Sequence, residues 1–208
     1  MKKIIWIVVF GIAFGLVEAV IVIYLRMNYY PEGFTFPLKL IPERVLLIEV
    51  IREAATVVML TSFGILVGKT GITRFGAFLM TFGVWDIFYY VWLKIFINWP
   101  ASLMDWDILY LIPVPWIAPV LAPILVSTGL ITCGGWIIFQ EDRGAPIKTK
   151  SVDWAVESIA GALIVASFIV NYDSSVPDVY PWWLFFIGLV GGVGYFIWRA
   201  THRRESDS

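Results

Sequence analysis

Residues 45–68 read VLLIEVIREAATVVMLTSFGILVG. As a helix rising about 1.5 Å per residue, that run is long enough to cross a hydrocarbon core about 30 Å thick. It nevertheless carries Glu49, Arg52 and Glu53. An ionisable side chain at the bilayer centre costs roughly 2.5–3.5 kcal/mol even on insertion scales, so such groups normally face a partner, a cavity or a ligand. This stretch therefore sets the fold class and marks where function is to be sought.

The rest of the chain agrees with a membrane environment. Of 208 residues, 60% are hydrophobic and only 15% charged, and the mean hydropathy is +0.83, outside the usual range of soluble domains. Apolar windows predict an all-α, polytopic transmembrane helical bundle of about six spans, near residues 4–25, 45–68, 75–97, 113–139, 154–171 and 181–199. Residues 1–200 then form one domain, and the polar tail 201–208 is expected to be disordered. Pro113, Pro115, Pro119 and Pro123 interrupt the fourth window, so its regular helix is expected to start among them, after a kinked or partly re-entrant approach.

Lys2 and Lys3 before an apolar run, with Val17-Glu18-Ala19 behind it, loosely imitate a secretory signal. The run continues through Ile23 to Arg26, too long for a signal core, so a retained first helix is expected. Basic residues set the expected orientation. With a cytoplasmic amino terminus, the inner segments hold Lys2, Lys3, Lys69, Arg74, Arg143, Lys148, Lys150, Arg199, Arg203 and Arg204, against Arg26, Lys39 and Arg44 outside. Both termini are then cytoplasmic, in a cell inner (plasma) membrane. Asp105, Asp107, Asp173 and Asp178 join Trp99, Trp106, Trp182 and Trp183 in an acidic, aromatic outer rim. The net charge of -1 gives no support for a nucleic-acid partner.

Depth brings the intramembrane charges together. Glu18 lies late in the first span, Glu49 and Glu53 early in the second, and Asp86 near the middle of the third, with Lys94 later on it. Consecutive spans are antiparallel, so all of these fall in the same half of the membrane. Glu49, Arg52 and Glu53 share one face of their helix, and Asp86, Tyr89, Tyr90 and Lys94 form a comparable stripe. The expected ligand-binding set is Glu18, Glu49, Arg52, Glu53, Asp86, Tyr89, Tyr90 and Lys94. Acids outnumber bases in it, so a proton or bound cation is expected to balance them. The competing reading is a structural network in which Arg52 neutralises its neighbours.

Several chemistries find little support. The only histidine is His202 in the tail, so neither a Glu-x-x-His di-iron site nor a bis-histidine haem can be built. Haem, zinc and copper are not expected, no metal ligands are assigned, and a hard cation held by oxygens alone is left open. Cys133 is the only cysteine and reads as a core residue.

The expected role is binding or carrying a small cationic or polar ligand in an outer-leaflet acidic pocket, with proton coupling through Glu18, Glu53 or Asp86, under a roof of Trp99, Trp106 and Trp116. Two alternatives stand beside it. One is a membrane-embedded enzyme with an oxygen-ligated metal, the other a non-catalytic subunit of a respiratory or transport complex. The small-residue lines Gly11, Gly15, Ala19 and Gly188, Gly192 admit partner subunits besides the lipid bilayer, although packing within one bundle explains them too. The loop 28–42, with prolines and aromatics, is expected to pack over the bundle as a lid.

Overall fold

The computed structural model describes residues 2–34, 36, 41–145, 147, 149–170 and 179–206. Expectations for Lys39, Lys148, Asp173, Asp178, residues 207–208 and the side chains of Arg203 and Arg204 lie outside the described residues. Six helices in it are long and apolar enough to cross a membrane. They are α1 (Lys2–Tyr29), α2 (Glu43–Val67), α3 (Gly71–Ile97), α4 (Leu121–Asp142), α5 (Ser151–Ile169) and α6 (Trp182–Ser206). In lipid every backbone polar group must be satisfied within the protein, and a helix achieves that within one segment.

Local chemistry marks the helix ends. At the start of α3 the Thr70 hydroxyl accepts the Thr73 N–H at 3.3 Å, and the Thr73 hydroxyl accepts the Thr70 N–H at 2.9 Å. This reciprocal cap satisfies donors that the first helical turn leaves open. The same helix ends at Asn98, left-handed at φ 52°, a conformation asparagine tolerates better than most residues.

The fourth region departs from a purely helical fold. Residues 106–119 form an antiparallel hairpin, β1 (Trp106–Tyr110) and β2 (Trp116–Pro119), and regular helix begins only at Leu121. Prolines supply no N–H and stop a helix, while the flanking aromatic and β-branched residues favour extended pairing. Asp107 lies opposite Ala118 and Ile108 opposite Ile117, with a register shift before Tyr110. Asp105 organises the approach: its carboxylate accepts the N–H groups of Ala101 at 2.8 Å and Ser102 at 3.2 Å. At the other terminus α6 runs on to Ser206, so residues 201–206 are helical where polarity alone suggests disorder. No glycine or proline there stops the helix.

Around the central α3 pack α1, α2 and α4, while α5 and α6 form a pair attached through α4 and β2. Small residues permit these approaches. A Cβ added at Gly15 would lie 2.8 Å from the Trp85 carbonyl oxygen, and one at Gly188 would lie 2.7 Å from that of Ala160. The glycine lines on α1 and α6 are thus used within the bundle. Ala118, Ala122, Phe168, Tyr180 and Phe185 form a buried cluster that ties the hairpin to α4, α5 and α6.

Candidate functional site

Arg52 is the centre of a charge cluster spanning α1 and α2. Its guanidinium donates to Glu18 of α1 and, at 2.7 Å, to Glu49, and lies 3.9 Å from a Glu53 oxygen. The three carboxylates are each less than a tenth exposed. Thr56, one turn on, donates its hydroxyl to the Arg52 carbonyl at 3.1 Å. Three acids therefore share one base.

Asp86 on α3 lies beside this cluster but outside its pairing. Its carboxylate accepts the hydroxyl of Ser127, on α4, at 2.7 Å, and among the described residues it has no cationic partner. Ser127 is 1% exposed and was not distinguishable in the sequence. Between Asp86 and the Arg52 cluster lies a cavity of about 60 Å³, lined by Glu18, Arg52, Glu53, Asp86, Tyr89 and Tyr90 together with Thr56, Trp85 and Tyr110. Trp85 adds a buried indole N–H with no acceptor among the described residues.

Two of the sequence-predicted residues fall outside the cavity wall. Glu49 reaches the site only through Arg52. Lys94 is exposed and donates to the Pro100 carbonyl at 2.9 Å, so it anchors the loop after α3 and supplies no positive charge to the cavity. The cavity wall therefore carries three carboxylates, Glu18, Glu53 and Asp86, and one guanidinium, that of Arg52.

The cover of the cavity is the hairpin, whose Ile108, Leu109 and Tyr110 line it. Glu53 accepts the amide N–H of Leu111 at 2.8 Å, attaching the hairpin turn to α2. The described part of the loop 28–42 packs elsewhere: Phe34 lies over Arg26, 4.5 Å from the guanidinium carbon, and edge-on to Trp99. None of the expected tryptophan roof lines the cavity: Trp99 lies 3.7 Å from the Arg26 guanidinium, and Trp116 meets the cavity-lining Tyr110 edge-on. Trp106 and Trp116 pack against Tyr180 and Phe168.

Arg26 and Asp107 correct the expectation of an outer rim. Asp107 is 2% exposed, accepts from Arg26 at 3.1 Å, and accepts the Tyr90 hydroxyl at 3.2 Å. Burial pushes its carboxyl up to about 6, against the opposing pull of Arg26. Burial, with Glu53 nearby, likewise raises the Tyr110 phenol. Alternating residues place Asp107 on the inner face of β1, information that becomes available only once 106–119 is known to be a hairpin.

Among the described residues no three His, Cys, Asp or Glu side chains come together as a metal-binding group. The carboxylates are spread over Arg52, Ser127 and the Leu111 amide. What the arrangement offers chemically is a small polar chamber with excess negative charge. Comparison with protein-family models, curated proteins and solved structures found no match.

Proposed function

We propose that this chain is a multi-pass protein of the cell inner (plasma) membrane that binds and carries a small monovalent cation or protonated amine in the chamber under the hairpin. The observation that carries this reading is Asp86, a carboxylate on the chamber wall with a serine hydroxyl as its donor and, among the described residues, no cation to balance it. A half-buried charge between apolar helices without a counter-charge is costly, so a proton or cationic guest completes the site.

The size of the chamber limits the guest. A cavity of about 60 Å³ has room for a few water-sized groups, since one water needs roughly 10–15 Å³ by this measure. That suits an alkali ion with residual water, ammonium or methylammonium. With Lys and Arg concentrated at the end opposite the hairpin, the chamber lies in the outer leaflet and both termini are cytoplasmic. Exchange of guest against proton at Asp86 or Glu53 couples carriage to the proton gradient.

Calorimetric titration of the purified protein with sodium, potassium, ammonium and methylammonium tests this. At least one binds stoichiometrically, and Asp86→Asn abolishes binding while the variant stays folded. If none binds, or if Asp86→Asn binds as the wild type does, the charges are a structural network instead.

A further inference from the structure

A second cavity, of about 240 Å³, lies between the α3–α4 face and the α5–α6 pair. Its walls are apolar, built from side chains such as Phe75, Leu130, Ile164, Leu189 and Phe196. Polar groups gather at the end where α5 begins: Asp153, Glu157, Tyr195 and Arg199. Along α5 the lining runs from Asp153 to Ile164, about 16 Å at 1.5 Å per residue. That is roughly half of a 30 Å hydrocarbon core, the depth of one leaflet.

The polar end is unevenly satisfied. Asp153 is saturated, accepting the Tyr195 hydroxyl at 2.8 Å, Arg199 Nε at 2.9 Å and the Lys150 N–H at 2.7 Å. Glu157, one turn further in, has no hydrogen-bond or ion-pair partner among the described residues. Its carboxylate lies against α6, where a Cβ added at Gly192 would be 3.2 Å from Oε2. Arg199 uses Nε on Asp153, so its terminal nitrogens also have no partner among the described residues. An open carboxylate and an open guanidinium edge thus flank the mouth of an apolar slot one leaflet deep.

We propose that this cavity holds a bilayer phospholipid with a primary ammonium head group. An acyl chain lies along the apolar walls, the phosphate meets the terminal nitrogens of Arg199 at the mouth, and the ethanolamine arm turns back inward so that its ammonium donates to Glu157. The ammonium N–H groups matter because a carboxylate needs donors, which a quaternary choline lacks. An anionic glycerol head group offers Glu157 no positive charge. This site is separate from the chamber under the hairpin and does not depend on its function.

Native mass spectrometry of the full chain decides the matter, with phosphatidylethanolamine, phosphatidylcholine and phosphatidylglycerol of identical acyl chains at equal concentrations. The ethanolamine lipid is retained about tenfold more than either competitor, as expected for one charge-assisted hydrogen bond. Glu157→Gln reduces its retention to that of the choline lipid. Gly161→Leu lowers retention of all three, because Gly161 lines the cavity and a Cβ there meets nothing within 4 Å. Equal retention of the three lipids by the unmodified protein overturns the proposal without reference to any variant. So does an ethanolamine preference that survives in folded Glu157→Gln protein.

Discussion

Glu53 on α2 accepts the amide N–H of Leu111 at 2.8 Å, joining two parts of the chain 58 positions apart. The same carboxylate lines the chamber and lies 3.9 Å from the Arg52 guanidinium. The charge in the chamber and the seating of the hairpin are therefore linked through one side chain. Protonating Glu53, or drawing it towards a cationic guest, weakens the hold on the cover.

Removing that carboxylate should loosen the hairpin. A hydrogen bond to a charged group contributes roughly 1.5–3 kcal/mol, so Glu53→Ala is expected to speed hydrogen exchange at Leu111 by about tenfold or more. Glu53→Gln keeps an oxygen acceptor and should change it much less. Equal exchange in all three proteins would show that the hairpin is held by its apolar contacts alone.

Arg52 should be the most costly single loss in the charge cluster. Arg52→Ala leaves Glu18, Glu49 and Glu53 buried without their base, and breaking such a pair costs roughly 3–5 kcal/mol. Adding Glu18→Gln to Arg52→Ala should recover part of that loss, because one orphaned charge disappears. Denaturation of the two single variants and the double variant in detergent measures the coupling. Additive losses would argue that the pair contributes little.

Ser127→Ala removes the only side-chain donor to Asp86 among the described residues. Leaving a buried acceptor unsatisfied costs roughly 1–3 kcal/mol, while the substitution itself opens little space. A melting profile matching the wild type would mean that water replaces the hydroxyl in the chamber.

Asp107 supplies a pH dependence of stability outside the six long apolar helices. Its folded-state value of about 6 lies above its ordinary 3.8, so the folded protein holds this proton more tightly than the unfolded chain. The resulting stabilisation is complete below about pH 4, fades as pH rises through the window from about 4 to 6, and is absent above it. Other carboxylates also titrate there, so the expected signature is a difference. Asp107→Asn should show a weaker fall in stability between pH 4 and 6 than the wild type, measured by chemical denaturation at a series of pH values. Parallel curves would place the titration on another group.

Residues 45–68 and five other apolar windows were legible as helices long and apolar enough to cross a membrane, because hydropathy and length alone report them, although the fourth begins only at Leu121. The convergence of Glu18, Arg52, Glu53, Asp86, Tyr89 and Tyr90 on one cavity was also readable, since antiparallel spans and helical periodicity fix depth and face. Tertiary structure decided the rest. Lys94 turned to the Pro100 carbonyl, and Asp107 left the rim for Arg26, because both pairings depend on how the chain after α3 folds back on the bundle, a path no periodicity encodes. The hairpin over the chamber needs pairing between strands on either side of a turn, together with the Leu111 contact to Glu53. Local sequence sets the depth and the face of a charge; which neighbour satisfies it depends on contacts made only when distant segments pack.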